Sequence, residues 1–281
     1  MTVYLIPNSS KPGALQLVEK AVDVLTGDGV RVLMEPAFVP LAGKKALVEG
    51  CKSEQAIQKC DIIVTIGGDG TMLHAARASM EHHKPLVGIN MGQLGFLTII
   101  ESDELDKLHR ISSHNYFIEQ RTMLEATYST QDRPYIALND IVLFKQMPQS
   151  MITLNIYCDE VHVSSFRGDG VVFSTPTGST AYSLSAGGPI VDAKLGGIVV
   201  TSICPHIIHA PPMVFDASRT MRVVSTSSNG QSVCMNLDGI DGPTLQSGDE
   251  IFIRQAKNCI PMIQFDDAGQ LDSIDKKLRR R

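Results

Sequence analysis

Long apolar runs are missing from this sequence. No stretch approaches the roughly 20 residues that a membrane-spanning helix needs, and Met1 to Asn8 has neither a basic leader region nor a small-residue cleavage site. No membrane or secretory role is therefore expected. Clustered positive charge is missing too. Lys and Arg number 25 against 30 Asp and Glu, with a net charge of -5 and a pI near 5.9, which argues against the basic face that nucleic acid requires. The one basic run, Lys276 to Arg281, reads as a solvated chain end. The cysteines, Cys51, Cys60, Cys158, Cys204, Cys234 and Cys259, form no CxxC pair and show no Cys/His spacing suited to zinc. They are expected to be reduced thiols of a cytoplasmic protein. His206 and His209 lack a third ligand nearby, so no protein-held metal is assigned. Neither the dinucleotide fingerprint GxGxxG nor the Walker pattern GxxxxGK[ST] occurs, and no internal repeat or low-complexity tract is found.

What is present is an ordinary globular composition, 43% apolar and 20% charged, over 281 residues, a length that suits two domains. From Thr2 to about Arg110, short apolar runs alternate with helical stretches. Val3 to Ile6, Val30 to Met34, Ile62 to Ile66 and Leu86 to Ile89 read as buried strands. Ala14 to Leu25, Glu54 to Lys59, Met72 to Met80 and Glu104 to Arg110 read as helices. Such alternation predicts an α/β domain with a parallel sheet and right-handed crossovers.

After about Asn115 the texture changes to frequent strand-like runs separated by Gly, Pro, Ser, Asn or Asp: Tyr135 to Phe144, Met151 to Cys158, Gly170 to Phe173, Gly197 to Ile203, Thr220 to Ser225 and Ile251 to Arg254. This predicts a β-rich, mainly antiparallel domain, interrupted by one helix opening near Gly178. The expected division is residues 1–112, 113–265 and a tail, 266–281, packing back on the first domain. Ligands of two-domain enzymes favour the seam between domains, so the richest loops of each half are expected to face one another.

Two strings carry chemistry. In Asp61-Ile-Ile-Val-Thr-Ile-Gly-Gly-Asp-Gly-Thr71 a buried strand delivers the chain to Gly67, Gly68, Gly70 and Thr71. Glycines there let an anion approach backbone N–H groups, and the helix that follows favours phosphate at its start. Asp69, held between glycines, suits either Mg2+ or the hydrogen of an attacking hydroxyl. Because a carboxylate is a weak base for a sugar hydroxyl, its larger contribution in phosphoryl transfer could be orientation or metal binding. The second string, Arg167-Gly-Asp-Gly-Val-Val-Phe-Ser-Thr-Pro-Thr-Gly-Ser-Thr-Ala-Tyr-Ser-Leu-Ser-Ala-Gly-Gly-Pro189, runs from a strand into a Ser/Thr/Gly loop offering hydroxyl and backbone donors to a polar ligand. Tyr182 adds a face on which a heterocycle can stack.

These strings, with Asn90-Met-Gly-Gln-Leu-Gly-Phe-Leu97, Ala137-Leu-Asn-Asp140 and Ile203-Cys-Pro-His206, resemble the NAD kinase family in order and approximate spacing over nearly the whole chain. The GGDGT element is shared with diacylglycerol, sphingosine and phosphofructo-kinases; the TPTGSTAY string is more specific. The resemblance implies a phosphofructokinase-like first domain. It also implies Mg2+-dependent transfer from ATP, another nucleoside triphosphate or polyphosphate to the 2'-hydroxyl of the adenosine ribose of NAD. By the same resemblance Asp69 and Gly70 lie at that ribose, with Asp69 as proton acceptor, and His74 lies near phosphate. Phe96, Asn139 and Asp140 touch the adenosine portion. Thr180, Ala181, Tyr182 and Ser185 form the adenine and nicotinamide pocket. Arg167 and Asp169 come from a neighbouring subunit, which implies a homodimer or homotetramer.

Two positions depart from the family pattern: Ile240 stands where Gln is common after Asp238-Gly239, and Ser202 where Pro is common. Two other readings compete. A lipid kinase on the same glycine loop would leave the TPTGSTAY and NMGQLGFL strings unexplained. A silent NAD(P)-binding regulator is opposed by the intact Asp69.

Overall fold

Five apolar segments of the first ninety residues become neighbours in one parallel sheet. They are β1 (Thr2–Pro7), β2 (Arg31–Met34), β3 (Val48–Gly50), β4 (Ile62–Gly67) and β5 (Leu86–Asn90). Residues 1–43, 46–92, 95–128, 133–207, 210–226, 231–266 and 274 are described in this computed structural model. The chain divides into one unit of Met1–Gln120 with Ile260–Arg281 and another of Arg121–Cys259. With β6 (Phe117–Arg121) and the last strand, β19 (Ile260–Gln264), the first unit's sheet runs β3-β2-β1-β4-β5-β19-β6.

Every residue of β4 and β5 is buried, as continuous apolar strands covered on both faces must be. The covering helices are α1 (Ala14–Gly27), α2 (Ser53–Lys59), α3 (Asp69–His82) and α4 (Leu108–Ser112). In α1 the buried residues Ala14, Leu17, Val18, Ala21, Val22 and Leu25 recur at three- and four-residue spacing, the stripe that seats a helix on a sheet.

Among the described residues the second unit holds twelve strands: β7 (Leu124–Tyr128), β8 (Tyr135–Ala137), β9 (Asp140–Lys145), β10 (Ile152–Cys158), β11 (Val161–Gly168), β12 (Gly170–Ser174), β13 (Gly197–Ile203), β14 (Met213–Asp216), β15 (Thr220–Ser225), β16 (Val233–Leu237), β17 (Ile240–Leu245) and β18 (Glu250–Gln255). They form two six-stranded sheets, β11-β10-β15-β18-β7-β8 and β14-β13-β12-β9-β16-β17. The pairings are antiparallel. Leu154, Val223 and Ile253 of one sheet share an apolar core with Ile141, Phe173 and Ile198 of the other. The strict alternation of buried positions in β10 and β15 is the half-buried signature that sequence alone displays.

Three expectations need correction. Ile260–Gln264 was grouped with the β-rich domain, but it pairs in parallel with β5 through Met262 and Leu86; all five residues are buried, which suits the middle of a covered parallel sheet. The run Tyr135 to Phe144 is two strands broken at Leu138 and Asn139. The helix expected near Gly178 is a 3-10 turn over Thr177–Thr180 and then one α-turn, α5 (Tyr182–Ser185). Gly, Ser and Thr compete poorly for a longer helix there. The expected tail, 266–281, lies almost wholly outside the described residues.

Candidate active site

In the first unit the loops that leave β1, β4 and β5 gather at the carboxyl edge of the sheet, where open parallel sheets bind ligands. The Asn8 N–H donates to the Ile66 carbonyl at 2.8 Å, and the Met91 N–H to the Gly67 carbonyl at 2.7 Å. Gly67 has no room for a side chain: a Cβ there would stand 2.1 Å from the Thr71 hydroxyl oxygen. The helix α3 then starts at Asp69 itself, three residues earlier than its apolar pattern indicates.

The Asp69 carboxylate is held by a second loop. Its Oδ2 accepts from the Phe96 N–H at 2.9 Å and its Oδ1 from the Leu97 N–H at 3.1 Å. A Cβ on Gly95 would lie 2.3 Å from Oδ1, so glycine is required at 95 for this approach. Two fixed amides thus orient the carboxylate while each oxygen keeps lone-pair capacity for a hydroxyl or a cation. Gly68 and Asp69 line a cavity of about 850 Å³ together with Lys11, Lys20, Gly92 and Gly95. A second cavity of about 400 Å³ is bounded by Asn8, Glu35, Gly70, Thr71 and His74. His74 is exposed and Phe96 half-buried. Gln93 and Leu94 of the same string, and His209, lie outside the described residues.

In the second unit the turn between β8 and β9 is clamped from two sides. The Asp238 carboxylate accepts three successive backbone N–H groups, Leu138 at 2.8 Å, Asn139 at 2.7 Å and Asp140 at 3.1 Å. From the other side, the Thr175 N–H donates to the Asn139 carbonyl at 2.9 Å and the Thr175 hydroxyl to the Leu138 carbonyl at 2.7 Å. Gly178 is packed so closely that a Cβ would meet the Asn139 carbonyl oxygen at 2.0 Å. Asn139 is only 8% exposed, yet its side-chain oxygen has no partner among the described residues. A buried acceptor of this kind is costly unless a ligand donor satisfies it.

Asp140, 5% exposed, is pushed from 3.8 to about 7, first by burial and then by the neighbouring Asp238 carboxylate, with the Tyr182 N–H opposing. It lines a cavity of about 620 Å³ with Val142, Phe144, Lys145, Asp169 and Tyr182. Asp169 pairs with Lys145 at 2.6 Å. The Tyr182 side is open, the residue being 46% exposed, so its ring is not core. Ala181 is half-buried; Ser185 and Arg167 are exposed.

The hydroxyl-rich string acts differently from expectation. Thr175, Ser179, Thr180 and Ser183 are buried. Ser179 and Thr180 donate to the Pro176 and Thr177 carbonyls at 2.6 and 3.2 Å, and Ser183 pairs with Thr201 at 2.9 Å. These side chains stitch the turn together, because buried hydroxyls must find partners within the protein. The Thr180 hydroxyl is therefore engaged within the turn. Asp238, Gly95, Lys11 and Lys145 are not singled out from sequence; the first two carry a signal there, Asp238 in the Asp-Gly pair before Ile240 and Gly95 in the Asn90 to Leu97 string. No group of three or more His, Cys, Asp or Glu that could hold a metal occurs among the described residues. The divalent cation of phosphoryl transfer fits here as part of a metal–phosphate donor, with Asp69 as the carboxylate at hand.

Family models match both halves of the chain, the ATP-NAD kinase N-terminal domain over residues 3–116 and the ATP-NAD kinase C-terminal domain over residues 138–265. A NAD kinase of Heliobacterium modesticaldum is 37% identical over 99% of each chain. One from Acetivibrio thermocellus is 30% identical over 100% of this chain and 98% of its own. Among solved structures, yeast NADH kinase complexed with NADH superposes with a TM-score of 0.85 at 27% identity, covering 99% of this chain and 87% of that one. A NAD kinase from Archaeoglobus fulgidus in complex with ATP gives 0.74 at 25% identity, covering 99% of each. With both domain families matched in order and relatives at 37% and 30% identity over nearly their whole length, the chain belongs to the ATP-NAD kinase family.

Proposed function

We propose that the chain transfers the terminal phosphoryl group of ATP to the 2'-hydroxyl of the adenosine ribose of NAD, giving NADP and ADP. The observation that carries this reading is the Asp69 carboxylate. It stands at the start of a helix beneath a glycine loop, both oxygens fixed by the amides of Phe96 and Leu97 at 2.9 and 3.1 Å. Phosphoryl transfer through a loose transition state asks a protein mainly for orientation and charge neutralisation. Asp69 accepts the hydrogen bond of the attacking hydroxyl; the new O–P bond forms as the bond to the bridging oxygen of ADP breaks. The hydroxyl proton passes to Asp69 as that bond develops. When bound with the donor, Mg2+ offsets charge on its phosphates.

The nucleotide-recognition roles follow the same reading. Gly70 and His74 lie by the ribose and phosphates, and Phe96 by the adenosine. The unpartnered oxygen of Asn139 accepts from the exocyclic amine of adenine, a donor that hypoxanthine lacks. Asp140 accepts from a nucleotide hydroxyl, while Thr180, Ala181, Tyr182 and Ser185 bound the heterocycle pocket. Arg167 and Asp169 serve a neighbouring subunit's site in a homodimer or homotetramer, which light scattering would measure. The cysteines are all unpaired, in keeping with a cytoplasmic setting, and no described helix is long and apolar enough to cross a membrane.

The purified protein, incubated with Mg-ATP and NAD, is expected to form NADP detectable by an NADP-specific dehydrogenase. No product above a protein-free control refutes the assignment.

A further inference from the structure

We propose that Thr98 is a positioning residue for Asp69: its buried hydroxyl donates to Asp69 Oδ1 and fills that oxygen, leaving Oδ2 as the one that meets the attacking ribose hydroxyl. The inference rests on the kinase reading above and adds a side chain that lies one position beyond the Asn90 to Leu97 string.

The main chain around Thr98 is pinned on both sides. The Leu97 N–H donates to Asp69 Oδ1 at 3.1 Å, and the Ile99 and Ile100 N–H groups share the Gly88 carbonyl, each at 3.2 Å. Only the side chain is left to choose a direction, and two glycines choose it. A Cβ on Gly88 would stand 2.7 Å from the Thr98 methyl carbon and 2.6 Å from the Met72 sulfur, so the methyl occupies an apolar notch on β5 beside Met72. A Cβ on Gly95 would stand 2.2 Å from the Thr98 hydroxyl oxygen and 2.3 Å from Asp69 Oδ1. Both oxygens therefore crowd one point, and their separation cannot exceed the sum of those distances. Exchanging the two branches would push the hydroxyl into the apolar notch, and a β-branched side chain has few other rotamers.

The hydroxyl needs a partner. Thr98 is 1% exposed, and its hydroxyl oxygen has none among the described residues. A buried hydroxyl left alone costs stability, whereas the neighbouring Asp69 Oδ1 holds one N–H and has a lone pair to spare. A slight turn of the carboxylate or of the threonine closes the pair, and hydrogen bonds at a reacting group commonly tighten when substrate engages it. With two donors on Oδ1 and the Phe96 N–H alone on Oδ2, the two oxygens become unequal and Oδ2 keeps the free lone pair. Such an asymmetry serves a transfer that depends chiefly on orientation.

The test compares Thr98→Val, Thr98→Ala and Thr98→Ser with the parent protein in steady-state NADP formation, varying Mg-ATP and NAD separately, and in urea unfolding. A hydrogen bond to a charged group corresponds to roughly 10- to 100-fold. Thr98→Val and Thr98→Ala are therefore expected to lower kcat by that factor, while both KM values stay within about twofold. Thr98→Ser keeps the hydroxyl but empties the notch at Gly88, so it is expected to retain most of kcat and to lower the urea midpoint. A threonine that only fills space gives another pattern. Either Thr98→Ser loses as much activity as Thr98→Val, or Thr98→Val, relieved of an unpartnered hydroxyl, keeps kcat and raises its midpoint; both results overturn the proposal. So does a loss in Thr98→Val that Thr98→Ala does not share, which would trace to a methyl group pressed on the carboxylate. The pairing is also read without activity: Thr98→Val is expected to lower the midpoint of the parent protein but not that of Asp69→Ala, and equal shifts in the two backgrounds overturn it. Absence of NADP formation by the parent protein is a separate failure, of the kinase reading, and leaves this comparison of midpoints to judge Thr98.

Discussion

Replacing Asp140 with Asn is expected to stabilise the protein while removing its nucleotide recognition, and the gain is expected to grow with pH. The Asp140 carboxyl is raised from 3.8 to about 7, chiefly by burial and then by Asp238. Between those values the folded chain holds a proton that the unfolded chain has released. Stability is therefore lost as pH rises through this window. Below about pH 4 both states are protonated and nothing is lost, whereas above pH 7 the cost is complete. The difference corresponds to about 4 kcal/mol, at about 1.4 kcal/mol for each tenfold change in proton affinity. At pH 5 about 1.7 kcal/mol of it is already present, so the advantage of Asp140→Asn widens by about 2.5 kcal/mol between pH 5 and pH 8. An amide oxygen can still accept the Tyr182 N–H, so the turn need not move.

The assay is urea unfolding of parent and variant at several pH values, followed by circular dichroism and by fluorescence of the six tyrosines, since the chain has no tryptophan. With a denaturant slope of about 2 kcal/mol per molar, the gap between midpoints should widen by about 1 M across that range. Parallel midpoint curves for the two proteins would show that Asp140 does not carry the buried proton, and the reasoning would fail.

Asp69→Asn keeps one of the two backbone hydrogen bonds through its remaining oxygen and loses the other, because an amide nitrogen cannot accept; folding is expected to survive that loss, with turnover reduced by roughly two to four orders of magnitude, and full kcat in that variant removes Asp69 from the chemistry. Gly178→Ala drives a methyl group into the Asn139 carbonyl, 2.0 Å from the added Cβ. It is expected to lower stability by about 1–3 kcal/mol and to raise KM for NAD more than KM for ATP; wild-type values for both would show that the turn tolerates displacement. Inosine-containing NAD, which lacks the exocyclic amine, should bind at least about tenfold more weakly if Asn139 uses its unpartnered oxygen as described, and equal affinity for the two dinucleotides counts against that role.

The sequence by itself determined the class of each half and the place of the reactive loop. Short, largely apolar runs such as Ile62 to Ile66, bounded by Gly, read as covered strands, and strict alternation in Ile152 to Cys158 reads as a half-buried one; both patterns are local. Glycines around an acidic residue at a strand's end are likewise local, so Asp69 was legible before any fold was known. Tertiary structure decided what depends on residues distant in the chain. Nothing local marks Ile260–Gln264 as a partner of β5, because its pairing is with Leu86. Nothing local shows that Asp238 clamps the turn 98 to 100 positions away, or that Phe96 and Leu97 aim the Asp69 carboxylate. The hydroxyls of the TPTGSTAY string look like ligand donors when read as a loop; once buried, each must satisfy itself inside the protein, and burial is a property of the fold that a one-dimensional pattern does not contain.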